Sequence, residues 1–337
     1  MLSVRRGLPL YTAMMWALVR ASFAADDNVA PQKYTLQYKF KAGERVYWEV
    51  SHRARIRSTV GGSSQLVETS SDSTKLWHVE SVSPTGEITL VHQVERVLMR
   101  HRVQGREETV VEVPAPNGKK LPLGYEQMAA DVGVPLTRLV MDRRGGVIRR
   151  DDLRKNKRQT QVTQDAPMTI PLPAQAVSIG EQWSSETAIV APRKDGTFKR
   201  VKLEQRFTLK EVSRGIATIE LESIVLTPVN EPEVQAHLVQ SKTKGKIKFD
   251  LALGRVIDQD LGFDEEVIGV PNGEASSMHY VMRFTERYLH DPPPTAAKQT
   301  ATTQTAPKHS ATKSSAKSKS GKVQDSRFNV KSSKPNN

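Results

Sequence analysis

The sequence predicts a mainly β protein: antiparallel sheets in two related units, forming a curved half-barrel or a sandwich, with one short helix. Three observations predict it. Apolar and polar residues alternate over long stretches, which puts successive side chains on opposite faces of a strand. Glycine-centred turns join those stretches, with no helix-length apolar period between them. Landmarks of the first half also recur in the second in the same order. The clearest pair is Leu76 to Leu98 and Phe207 to Leu226, each a strand, a turn around Gly86 or Gly215, and a second strand.

In chain order, residues 1–24 have a basic start (Arg5, Arg6), an apolar run from Leu8 to Val19 and a small-residue exit, Ser22-Phe23-Ala24. The layout is that of a secretory signal peptide, and the run falls short of the ~20 apolar residues of a membrane span. Cleavage before Ala25 is expected, giving a periplasmic or extracellular protein with no remaining span. An uncleaved anchor, with Arg20 near the exit, is the other reading. Residues 25–150 form the first β-unit. Tyr34 to Phe40 is a candidate strand, and from Val46 the residues Val46, Trp48, Val50, His52, Ala54 and Ile56 share one face. Arg53, Arg55 and Arg57 share the other. Gly61-Gly62 turns the chain into Gln65 to Val82, Ile88 to Val103 follows, and Glu107 to Val113 adds a strand. Gly124 to Val132 is the helix candidate, and Pro135 to Arg150 a hairpin around Gly145-Gly146.

Residues 151–173 are polar and proline-bearing, as in a linker or long surface loop. The second unit spans 174–291. Its opening, Gly180-Glu181-Gln182-Trp183, matches Gly43 to Trp48, and Gly254-Arg255-Val256-Ile257 matches Gly145-Gly146-Val147-Ile148. Met278, Tyr280, Met282, Phe284 and Tyr288 make the final alternating strand. Residues 292–337 are Pro, Ala, Thr, Ser, Lys and Gln with little to bury, the composition of a disordered tail.

The formal net charge of +13 is unevenly spread: residues 1–24 carry +3 and the tail +8, leaving +2 for residues 25–291. The absence of cysteine excludes disulfides, thiolate catalysis and cysteine-held metals. The order of landmarks resembles a group of uncharacterised bacterial exported proteins classed as a domain of unknown function. Tyr34 to Trp48, the Val82 to Leu98 hairpin, Val132 to Leu136 before Gly146-Val147-Ile148, and Ser178 to Trp183 carry the resemblance. That group brings no catalytic or binding residues. Long antiparallel strands with an intervening helix are also similar, in architecture alone, to the half-barrels of periplasmic lipoprotein carriers.

No metal-ligand spacing occurs among the histidines before the tail, and no cofactor is expected. His52 and His92 share faces with apolar residues, where a satisfied, half-buried histidine is expected; a meeting of the two across the sheet is the other reading. Asp151-Asp152 and Asp264-Glu265-Glu266 are acid runs of the kind found on solvated loops, and a glycosidase would need two such groups facing each other across a cleft. Two site readings remain. The apolar faces bearing Trp48, Trp77, Phe207, Phe249 and Phe284 would line a site for a lipid or other apolar ligand, or serve as ordinary core. Arg53, Arg55 and Arg57, Lys244, Lys246 and Lys248, and Lys313, Lys317 and Lys319 in the tail would attract an anionic envelope polymer, or merely blunt exposed strands. The tail lacks the interleaved aromatics that stack on bases, so no specific nucleic acid is expected. The expected function is therefore an exported, non-catalytic cell-envelope binding or interaction protein. A structural envelope protein tethered by its tail is the alternative, and an envelope-polymer hydrolase the third reading.

Overall fold

The computed structural model describes residues 32–116, 120–154, 168–270, 273–291 and 293. The predicted signal segment and the tail lysines Lys313, Lys317 and Lys319 lie outside the described residues. In order the elements are β1 (Lys33–Tyr34), β2 (Arg45–Val60), β3 (Ser63–Val82), β4 (Ile88–Val103), β5 (Thr109–Val113), α1 (Glu126–Asp131), β6 (Pro135–Met141) and β7 (Val147–Asp152). Then come β8 (Val177–Ser178), β9 (Gln182–Pro192), β10 (Phe198–Ser213), β11 (Ile216–Val225), α2 (Pro232–Leu238), β12 (Lys244–Asp250), β13 (Arg255–Gly269) and β14 (Gly273–Leu289). The protein is mainly β, and its ladders are antiparallel, as predicted.

Both halves share one sheet. Its twelve strands run β7-β6-β4-β3-β2-β14-β13-β12-β11-β10-β9, with β5 added against β4; β1 and β8 pair separately. Counted from the β9 edge, the order 9-10-11-12-13 is followed by β14 and then by 2-3-4-6-7. Each half places a helix before its fourth listed strand, α2 before β12 and α1 before β6. Hairpin chemistry fixes the registers. Val60 pairs with Ser63 around Gly61 and Gly62, whose φ values of +54° and +81° give the two-residue turn that a side chain would strain.

The sheet is not closed, with β7 and β9 as its terminal strands, yet it wraps far enough for its ends to share a core. Leu139 and Met141 of β6 belong to the same buried cluster as Phe207 and Leu209 of β10. The chain itself fills the space between. Tyr34 to Phe40 alternates as predicted but forms no long strand. Leu36, Tyr38 and Phe40 are 1%, 3% and 8% exposed, and the Tyr38 and Lys39 amides donate to the carbonyls of Arg143 and Gly254. The end of the expected surface loop enters too: Ile170 and Leu172 are buried, and the Ile170 amide donates to the Tyr38 hydroxyl at 3.1 Å. Burial pushes the Tyr38 hydroxyl well above the ordinary phenol range.

α2 had no counterpart in the sequence reading, although Pro232 at its start is a helix-opening residue. It buries Val234 and Leu238 against Ala191, Val201 and Leu203. At 7 residues, its apolar stripe is too short to stand out as a period.

Candidate anion-binding groove

Alternation sets Arg53, Arg55 and Arg57 on the outer face of β2, opposite the buried Val46 and Trp48. Register then builds columns of charge across that face. On β3 the outer residues include Glu68 and Asp72, on β4 Arg100 and Arg102, and before and within β5 Glu108 and Glu112. On the other flank β13 carries Asp258, Asp260, Asp264 and Glu266; β12 carries Lys244, Lys246 and Lys248; β11 carries Glu220 and Glu222. Sign therefore alternates strand by strand, and Lys244, Lys246 and Lys248 stand between two acidic columns. They are spread along a balanced surface, not gathered into a patch.

The alternation breaks at one place. β14 and β2 are both basic, and Arg283 stands directly opposite Arg53. Like charges across an antiparallel pair repel, and the two side chains diverge. Arg53 forks onto Asp72 at 2.8 and 3.0 Å, and Arg283 onto Asp260 at 2.9 and 2.6 Å on the far flank. Hydrogen bonding from Arg283 holds the Asp260 carboxyl below its ordinary value. Gly262, opposite Arg283, adds no side chain to this face.

Divergence leaves a concavity of about 300 Å³, lined by Val281, Ala54 and the side chains of Arg53, Arg55, Arg100, Arg102, Arg283, Glu68 and Glu108. Arg55 and Arg102 share Glu68, at 2.9 and 3.6 Å, and Arg100 lies 3.6 Å from Glu108. Arg57, one pair along the strand, meets no acid within ion-pair distance among the described residues. Its cross-strand neighbour His279 is held by Asp264 at 2.5 Å. The groove thus gathers five arginines, each ion-paired to an acid, so an oxyanion bound there would compete with Asp72, Asp260, Glu68 and Glu108 for their forks.

The aromatic candidates are placed differently. Trp48, Trp77, Phe207 and Phe249 are at most 3% exposed and pack around the inserted chain. Tyr38 meets Phe249 edge-on at 5.7 Å, Phe40 meets Trp77 at 6.1 Å, and Trp77 meets Trp48 at 4.9 Å. The cavity beside Trp48 and Trp77 has about 20 Å³, room for a single water. Phe284 is half-buried on β14, opposite His52. His52 and His92 do not meet: His52 stands opposite Ser71 and Phe284, His92 opposite Trp77 and Thr137.

Sequence reasoning missed a buried pair in that interior. Lys75 and Glu286 form an ion pair with side chains 16% and 5% exposed, and Gln259 donates to Glu286 at 2.6 Å. The Lys75 ammonium lies 4.4 Å from the centre of Trp48 and 4.7 Å from that of Trp77. Burial alone draws this ammonium down to about 7. The adjoining Glu286 carboxylate acts the other way, favouring the charged form. Nearby, Arg255 pairs with Glu44 at 2.8 Å. Alternation with Trp77 and with Phe284 and Tyr288 was the available signal that Lys75 and Glu286 point inward. Among the described residues no group of acids and histidines is arranged to hold a metal ion, and no helix is long and apolar enough to cross a membrane.

Residues 159–256 match a family of unknown function (DUF6263), so an uncharacterised domain occupies that stretch, which includes β8 to β12. No curated protein matches the chain. Among solved structures it is similar, at 8% identity and a TM-score of 0.16, to the secretin InvG (residues 176 to the end) of the Salmonella SPI-1 type III secretion injectisome in its open gate state. That match covers 74% of this chain and 61% of the secretin chain, under two thirds of its length. A DUF1329 family protein from Desulfovibrio piger is similar at 10% identity and a TM-score of 0.13, over 73% of this chain and 87% of the other. At TM-scores this low neither likeness says anything of fold or function.

Proposed function

We propose that the chain is an exported, non-catalytic binding protein of the cell envelope that holds a phosphate-bearing envelope component in the arginine-lined groove across β14, β2, β3 and β4. The observation that carries this reading is the Arg53–Arg283 juxtaposition, where an otherwise alternating surface sets two basic strands side by side. The two guanidiniums turn away to acids on opposite flanks and no acid strand stands between β14 and β2, so a bound anion would supply there what an intervening acid column would have supplied. Arginine in place of lysine favours a phosphate oxyanion bound through two oxygens. The layout of residues 1–24 supports export.

The test is equilibrium binding of the purified full chain to inorganic polyphosphate, and to vesicles of phosphatidylglycerol or phosphatidylcholine, at two salt concentrations. Polyphosphate binding without vesicle binding assigns a polymer; binding to phosphatidylglycerol vesicles alone assigns a lipid headgroup. Arg53→Gln with Arg283→Gln is expected to weaken binding by tenfold or more. Undiminished binding in that variant, lost on changing Lys313, Lys317 and Lys319 to Gln, would transfer the role to the tail and leave the groove as charge-balanced surface.

A further inference from the structure

The two terminal strands of the sheet differ in chemistry. β7 (Val147-Ile148-Arg149-Arg150-Asp151-Asp152) is short and carries four charged residues, the usual protection against edge-to-edge pairing. β9 runs for 11 residues and carries only Glu186. Its stretch Thr187-Ala188-Ile189-Val190-Ala191 is uncharged and rich in β-formers. β10 pairs with β9 from Gln182 to Pro192 on one side; on the other, no backbone hydrogen bond from a described residue reaches it. Val190 is 55% exposed. Such an edge is a template for another strand.

We infer that β9 pairs antiparallel with β9 of a second copy of this chain, joining two sheets across a twofold axis. Charge and closure select this occupant. Pairing β9 with the β7 of another copy would set an uncharged edge against a charged one and, being head-to-tail, would build a ring or an open filament instead of closing at two chains. Self-pairing closes at two chains. A register centred on Glu186 would place two carboxylates face to face, whereas one centred on Ile189 sets Ile189 against its own copy and Val190 against Ala188. It also sets Ala191 against Thr187, and carries Glu186 out to Pro192 at the end of the contact. Residues opposite each other in an antiparallel pair share a face, so the Ile189 pair continues the apolar layer that Ala191 and Val201 begin beneath α2.

Sedimentation of the full chain over a range of concentrations tests this, with a dimer expected. In the double variant Ala188→Glu and Val190→Glu the new carboxylates stand opposite Lys202 and Arg200 within the chain, which favours the fold. Across the contact they stand opposite each other, and dimer dissociation is expected to rise at least a hundredfold. Val147→Glu with Ile148→Glu on β7 is expected to leave the dimer unchanged. A chain that sediments as a monomer throughout overturns the inference, as does a dimer indifferent to the β9 substitutions or one broken by those on β7. Hydrogen exchange of the unaltered chain gives an independent reading. β9 amides that gain protection with protein concentration support the contact; amides equally slow in the dilute monomer mean that the chain covers its own edge, and overturn it.

Discussion

Arg53 and Arg283 face each other across neighbouring strands and turn their guanidiniums in opposite directions, one to Asp72 on β3 and the other to Asp260 on β13. Each acid competes with any anion for its arginine. Asp72→Asn or Asp260→Asn is therefore expected to raise polyphosphate affinity about fivefold, the equivalent of about 1 kcal/mol for an exposed ion pair. Folding stability should move by less than that. Titration of the two variants against the unaltered chain checks it, and a loss of affinity would show that the acids belong to the ligand site.

Glu286 gives the opposite balance. Its partner Lys75 is nearly enclosed, so removing the carboxylate charge leaves a buried ammonium with only aromatic faces around it. Glu286→Gln is expected to cost about 3–5 kcal/mol in denaturant unfolding. The double change Lys75→Met with Glu286→Leu should recover most of it, because no lone charge then remains.

Aromatic truncations separate core from ligand lining. Phe249→Ala should lose about 3–5 kcal/mol, since the ring is fully buried against Tyr38 and the wall closes poorly behind it. Phe284→Ala, on a half-buried site, should lose less than about 2 kcal/mol. Equal and small losses would mean that the interior is looser than its packing.

Stability should also depend on pH through His92. Burial is the main cause that draws its imidazole down to about 4, helped by the nearby Lys75 charge. Between about 4 and the ordinary value of 6.5 the unfolded chain binds more protons than the folded one, so stability rises with pH across that window and levels off above it. The full difference is up to about 3 kcal/mol. Burial also lowers His52, in the same sense. Unfolding midpoints from pH 4 to 7 should therefore flatten in a His92→Leu variant.

Much of this was legible in the sequence, for a physical reason. Alternation is local, so the faces of β2, β10 and β14 and the limits of β4 could be read from neighbouring residues alone. Arg53, Arg55 and Arg57 were assigned to the outer face on that basis. What alternation does not carry is register between distant strands. Arg283 opposite Arg53, the acids that draw them apart, and the meeting of Lys75 with Glu286 all depend on ladders closed over long separations. The inserted segments were illegible for a related reason: Tyr34 to Phe40 has a strand's pattern, but the walls it meets are the inner faces of a sheet wrapped around it. Whether His52 and His92 meet could not be read either, because a shared face says nothing about position along the strand.

The strand order has one further consequence, for how the chain is made. β14 is translated after every other described strand, yet it lies between β13 and β2 and pairs with both. A nascent chain that has emerged only as far as β13 holds two half-sheets whose long inner borders are both bare. Bare borders of that length invite pairing with other chains. Arrival of β14 sews the two half-sheets together in one step.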